Sequence, residues 1–305
     1  MSARTALVFP GQGSQHVGML DNVPELDALE RLLDAAEALS GLELSTIARL
    51  GDSDDLADTR VAQPLLYLTD WAWGETLLQS GVCPSLVAGH SLGELAALAI
   101  AGVFSPEAGL ELVVERSKLM ATTAVGTPGG MSAVIGLDSS EIGAAIEAVQ
   151  GVWIANDNAP GQVVISGSVA GIDRATVALQ EAGARRIVPL TVAGPFHSPL
   201  MEPARVAFEQ LLLGAEFGDA RIPVIQNTDP TPETDAESIR SRLIAQISAP
   251  VRWTETMGAL VADGPITVLE AGPGSVLTGL SRRVEGITAY AVEAVDLETI
   301  VEEVL

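Results

Sequence analysis

Cysteine and lysine are almost missing from these 305 residues: there is one of each, Cys83 and Lys118, beside only three histidines. A single cysteine excludes an intramolecular disulfide and a cysteine-rich metal site, and a reducing cytoplasm is the simplest compartment. Cys83 is expected to be a free, buried thiol. Positive charge is also scarce. With 16 Lys and Arg against 40 Asp and Glu the formal charge is −24, which argues against nucleic acid as a partner and against an anionic membrane surface. No apolar run suits a bilayer, because the most apolar stretch, 86–104, carries His90, Ser91 and Glu94 where hydrocarbon would penalise them. No secretory leader is visible. Hydrophobic residues nevertheless reach 48% and charged ones only 18%, so a disordered tail is excluded and a sizeable core is assured.

Short apolar runs alternate with helical patterns, as in α/β proteins. Residues 6–9 predict a buried strand, followed by the Gly-rich turn Pro10-Gly11-Gln12-Gly13-Ser14-Gln15. Helices are predicted over 25–39 and 61–78, and a short strand over 85–88 leads through Gly89-His90-Ser91-Leu92-Gly93 into a helix reaching 101. Ser105 as N-cap and Pro106 at the first helical position start another helix that runs to about residue 124. The breaker cluster Gly126-Thr127-Pro128-Gly129-Gly130 marks a boundary. Beyond it the order is β-α-β-β-α-β, with strands at 131–135, 152–155, 162–166 and 186–189 and helices at 140–149 and 170–182. That order is the split ferredoxin-like motif. Strands at 224–226 and 267–270 return to the first sheet. The expected division is one domain from 1–126 and 194–305, with 127–193 inserted as a smaller one.

Gly89-His90-Ser91-Leu92-Gly93 fits G-x-S-x-G between a strand and a helix, the setting of a nucleophile elbow. The bland reading is a packing turn whose serine merely caps a helix. A serine nucleophile needs a base. His90 adjoins the serine and should point elsewhere, and His16 lies upstream in the first loop. That leaves His197, held in Gly194-Pro195-Phe196-His197-Ser198-Pro199 and downstream of the serine. An oxyanion hole requires two fixed amides, for which Leu92 and Gln12 are placed. Gly11-x-Gly13 is followed by His16 where a dinucleotide fingerprint needs its third glycine, so that reading fails. Arg116 lies in an apolar helical run and would need a carboxylate if buried, either on a substrate or in a salt bridge at the helix edge. No metal-ligand constellation is present.

Taken together, Phe9-Pro10-Gly11-Gln12-Gly13-Ser14-Gln15, the Ser91 motif with Glu94, and Arg116 with Lys118 and Met120 resemble the malonyl-CoA:acyl carrier protein transacylases and the acyltransferase domains of polyketide synthases. Asn158-Ala159-Pro160-Gly161-Gln162, the His197 loop, Pro250-Val251-Arg252-Trp253 and Glu270-x-Gly272-Pro273-Gly274 extend the likeness over the whole chain. The resemblance implies an α/β-hydrolase-like large domain with an inserted ferredoxin-like small domain. It implies ping-pong transfer of malonyl from malonyl-CoA, through Ser91, to the phosphopantetheine thiol of an acyl carrier protein, with no cofactor beyond these thioester carriers; a monomer is expected, although nothing in the sequence fixes the oligomeric state. Family members orient the histidine through a backbone or amide oxygen, and Gln246 is the matching position. Arg116 matches the arginine that grips the malonyl carboxylate, and Gln63, His90, Met120 and Asn158 match the pocket. Phe196 matches the bulky residue of malonyl-selective relatives. Carrier proteins are acidic, so docking to this acidic chain would need a basic patch, for which Arg185-Arg186 and Arg282-Arg283 are candidates. A malonate decarboxylase or a polyketide assembly line as the client, a serine thioesterase, and a non-catalytic carrier-binding scaffold are the other readings.

Overall fold

Thr5–Phe9 (β1) is buried along its whole length. An apolar run with no polar alternation is stable as a strand only when both faces are covered. The computed structural model, which describes residues 4–304, places β1 at the centre of a five-stranded parallel sheet. Its neighbours are Leu86–Gly89 (β2) on one side, flanked by a two-residue strand at Val224–Ile225, and Ile266–Glu270 on the other, flanked by Ile287–Ala291. The Gly93–Ile100 helix follows β2 directly and all eight of its residues are buried. The Thr59–Gln79 and Pro106–Gly126 helices pack against it and against each other. Ser105 caps the latter by accepting the Ala108 N–H, with Pro106 where a missing N–H costs nothing.

A second, antiparallel sheet occupies 129–189. Its strands are Gly129–Ile135 (β3), Val152–Ala159 (β4), Gln162–Ser168 (β5) and Arg186–Pro189 (β6), in the spatial order β4-β5-β3-β6. Helices Ser139–Ile146 and Val169–Glu181 cover one face, and Val134, Ile142, Val163, Ile165 and Leu179 form a core separate from that of the parallel sheet. The small sheet is joined, through backbone as well as side chains, to the segment that opens the Trp253–Val261 helix. Val251 donates its N–H to Ala155 O at 2.8 Å and accepts from Asp157 N–H at 2.9 Å, while Thr254 Oγ1 donates to Asp157 Oδ1 at 2.7 Å.

Three local expectations change. The strand expected to stop at Ala155 continues to Ala159 through register shifts at Asn156 and beyond Asp157. Asn-Asp-Asn is poor strand sequence, but the bond to Val251 supplies the partner that carries it on. Ile287–Ala291 is a strand that its alternation did not announce, because it lies half-exposed at a sheet edge. Cys83 is exposed rather than buried, since the turn at Gly81 sends Val82 into the core and leaves the next side chain outside. Among the described residues no helix is long and apolar enough to cross a membrane, and no group of three His, Cys, Asp or Glu could hold a metal ion.

Candidate active site

The elbow after β2 is packed so tightly that its glycines are obligatory. A β-carbon on Gly89 would collide with Gly93 and Glu94 backbone, and one on Gly93 with the carbonyl of Phe9. Between them Ser91 takes φ 51°, a left-handed conformation rare for a residue with a side chain. Only one other non-glycine among the described residues does so, His197 at φ 54°. Their side chains meet: Ser91 Oγ lies 2.7 Å from His197 Nε2.

His197 is buried, and its Nδ1 lies 3.1 Å from the carbonyl oxygens of both Gln246 and Ala249. Carbonyls only accept, so Nδ1 carries the proton and Nε2 is left to accept from the serine hydroxyl. Burial, then the charge of Arg116 and the neighbouring His90, push the imidazole pKa down to about 3. The ring is therefore a neutral base throughout the neutral range. The orienting group at Gln246 is its backbone carbonyl. Its side chain turns the other way, donating to Ser91 O at 2.7 Å and accepting from Arg116 at 2.9 Å.

Arg116 is 1% exposed, yet among the described residues no carboxylate is hydrogen-bonded to it, and the buried Glu94 acts on it only through space. One terminal nitrogen donates to Gln63 Oε1 at 2.7 Å, and the other to Gln246 Oε1 and, at 3.2 Å, to Ser91 Oγ. Desolvation lowers its pKa to about 10, which still leaves it cationic. The salt bridge at a helix edge is thus not formed. Gln63 is held by donating to Thr59 Oγ1, and Thr59 in turn donates to the Gln12 side chain. A continuous polar chain links the first loop to the guanidinium.

These groups line one cavity of about 80 Å³ together with Leu92, Met120, Met131, Asn156, Leu190, Val192 and Phe196. Gln12, Gln63, His90, Ser91, Leu92, Arg116, Met120, Phe196 and His197 are thereby brought together. Asn158 is not on that wall. The register shifts in β4 put Asn156 there instead, and Asn158 Oδ1 accepts from His90 Nε2 at 2.8 Å, fixing a ring that also packs on Trp253. Beneath the elbow lies a buried network that motif reading missed, formed by Glu94, Gln226 and Asn227. Glu94 accepts from Asn227 N–H and the Gln226 amide, and burial still raises its pKa. Residues at the C-terminal end of the strand beside β2 were the available signal, because α/β sheets place sites at that edge.

A serine raised on an elbow, a neutral imidazole in contact with it and a buried guanidinium beside the serine oxygen are the parts of an acyl-transferring serine enzyme. The chain belongs to the acyl transferase domain family, whose model matches residues 6–296. It is 42% identical to the malonyl CoA-acyl carrier protein transacylase of Synechocystis, over 92% of this chain and 93% of that protein. An acyl carrier protein S-malonyltransferase structure from Vibrio cholerae matches with a TM-score of 0.91 at 40% identity, covering 98% of this chain and 100% of that one. The malonyl-transacylase solved in complex with its type II PKS acyl-carrier protein matches with a TM-score of 0.90 at 39% identity, covering 99% of both chains. The mixed architecture of a parallel sheet and a separate antiparallel sheet is common to them.

Proposed function

We propose that this enzyme transfers a malonyl group from malonyl-CoA to the phosphopantetheine thiol of an acyl carrier protein in the cytoplasm. In this reading the parallel sheet is the α/β-hydrolase-like domain of residues 1–126 and 194–305, and the antiparallel sheet is the ferredoxin-like insertion of 127–193. Ser91 Oγ attacks the thioester carbonyl while its proton passes to His197 Nε2. The N–H groups of Gln12 and Leu92 take the charge that develops on the carbonyl oxygen. Collapse breaks the carbon–sulfur bond, coenzyme A leaves with the proton from the imidazolium, and malonyl remains as a serine ester. The carrier thiol then gives its proton to His197 and attacks the ester, and Ser91 recovers a proton as it departs.

The observation that carries this reading is the buried Arg116 guanidinium, which hydrogen-bonds to amide and hydroxyl oxygens rather than to a carboxylate and lies 3.2 Å from the serine oxygen, with the Glu94 charge acting on it only through space. Arginine's planar fork suits a carboxylate, and burial strengthens the pairing. Phe196 at the same wall leaves little room for an α-methyl branch. The test is intact-mass measurement after mixing the enzyme with malonyl-CoA and then with a pantetheinylated carrier. A malonyl adduct on Ser91 that moves to the carrier is expected. An adduct lost to water at the same rate with or without carrier would overturn transfer in favour of thioester hydrolysis.

A further inference from the structure

We infer that Asn227 is a positioning residue that holds the nucleophile in its reactive conformation, an inference that rests on the proposed acyl transfer through Ser91. Asn227 is fully buried, and its side-chain amide spans the elbow. Nδ2 donates to Gly89 O at 2.6 Å, and Oδ1 accepts from Ser91 N–H at 2.7 Å. One planar group thus fixes the residue before the turn and the residue at its apex. The third polar atom of the bend, Ser91 O, accepts from the Gln246 amide at 2.7 Å. Backbone bonds hold the flanks of the bend, His90 N–H to Phe9 O at 2.9 Å and Glu94 N–H to Ser91 O at 3.2 Å, but the N–H of the left-handed serine itself is held by a side chain, that of Asn227.

Asn227 is itself anchored at both backbone ends. Its N–H donates to Glu94 Oε2 at 2.8 Å, and its carbonyl accepts from Arg252 N–H at 3.1 Å. Glu94 stands three residues after the serine on the helix that the elbow opens, so the carboxylate ties Asn227 to the element it braces. The brace has a chemical consequence as well as a mechanical one. Because Ser91 N–H is occupied by Asn227, it is withdrawn from the cavity, and Leu92 is left as the amide of the elbow that can face a carbonyl oxygen. Without the brace the left-handed serine relaxes towards ordinary helical or extended backbone, which carries Oγ away from His197 Nε2. A misplacement of about 1 Å at a reacting atom costs about 100-fold in rate.

The experiment follows acylation by malonyl-CoA with rapid quench and intact mass, alongside thermal unfolding, for wild type, Asn227→Ala and Asn227→Asp. Asn227→Ala is expected to acylate about 100-fold more slowly with little change in KM. Asn227→Asp separates positioning from simple packing. As a carboxylate it keeps an acceptor for Ser91 N–H but sets an oxygen against Gly89 O and a second charge near Glu94. As a neutral acid it reproduces the donor and acceptor of the amide. Its rate should therefore climb towards wild type as pH falls from 8.5 to 5.5, over a range where wild type does not climb. Acylation of a folded Asn227→Ala within 3-fold of wild type overturns the inference. If that variant does not fold, an Asn227→Asp rate that is low and independent of pH does the same. Wild type that forms no malonyl adduct would instead defeat the acyl-transfer reading, and the first lane of the experiment reads that separately.

Discussion

The parallel and antiparallel sheets are built to different standards. β1 and β2 are buried along their full length and stop within one residue of the turns that carry Gln12 and Ser91. In the small sheet β3, β4 and β6 are only partly covered, and β4 tolerates two register shifts. Complete burial is concentrated beside Ser91 Oγ and His197 Nε2, 2.7 Å apart, between which the proposed reaction moves a proton. Looser construction is kept where a substrate is only bounded, by Met131, Asn156, Leu190 and Val192. In the proposed reaction, chemistry belongs to the first region and selectivity to its seam with the second.

That contrast is sharpest at Ser91. Ser91→Ala should abolish the malonyl adduct seen by intact mass, and an adduct that persists on this variant would remove the parallel sheet from the chemistry. His197→Ala should retain the adduct site but slow its formation by about 10³-fold, the size of a general-base contribution, read in the same assay. Next in size, Arg116→Ala should lose about 10- to 100-fold in malonyl transfer, the value of a charge-assisted hydrogen bond, with far less effect on acetyl transfer; equal losses would contradict the clamp. On the seam, Phe196→Ser should relax discrimination against methylmalonyl by about 1–3 kcal/mol without slowing malonyl, and an unchanged ratio would mean that the ring does not face the α-carbon.

The smallest effect is with pH. His197 has a depressed pKa, so its base form persists as pH falls and is lost only near its folded value of about 3. kcat/KM should stay level from pH 8 to 5, where a histidine of ordinary pKa would already be protonated. The same shift has a cost in stability: the unfolded chain takes up this proton near 6.5 and the folded one does not, so His197 disfavours folding progressively as pH drops below 6.5. His197→Gln should flatten that part of the melting-temperature profile. A kcat/KM limb centred near 6.5 would show that the ring is more solvated than its burial implies.

Much of this was legible from residue order alone. Gly89 and Gly93 announced a close approach, and Ser105-Pro106 announced a helix start, because each rests on local sterics that travel with the sequence. Ser91, His197 and Arg116 were readable as candidates because few residues in the chain can perform those roles. Asn227 was not, since asparagine after a two-residue strand looks like any turn until the fold sets it beneath the serine. Asn156 and Asn158 exchanged places for a similar reason: a register shift changes which side chain faces the cavity, and shifts depend on partners distant in sequence. Cys83 was misjudged because a single residue of phase after Gly81 decides between inside and outside.

The contact between Val251 and β4 also does more than join the small sheet to the segment before the Trp253–Val261 helix. β4 would otherwise present an open row of peptide groups to other chains, and Val251 seals part of it. Two residues before Val251 comes Ala249, whose carbonyl accepts a hydrogen bond from His197 Nδ1–H. The edge strand of the small sheet and the carbonyl that orients the imidazole are thus two peptide units apart along one short segment, which ties the seam between the two sheets to the tautomer of His197.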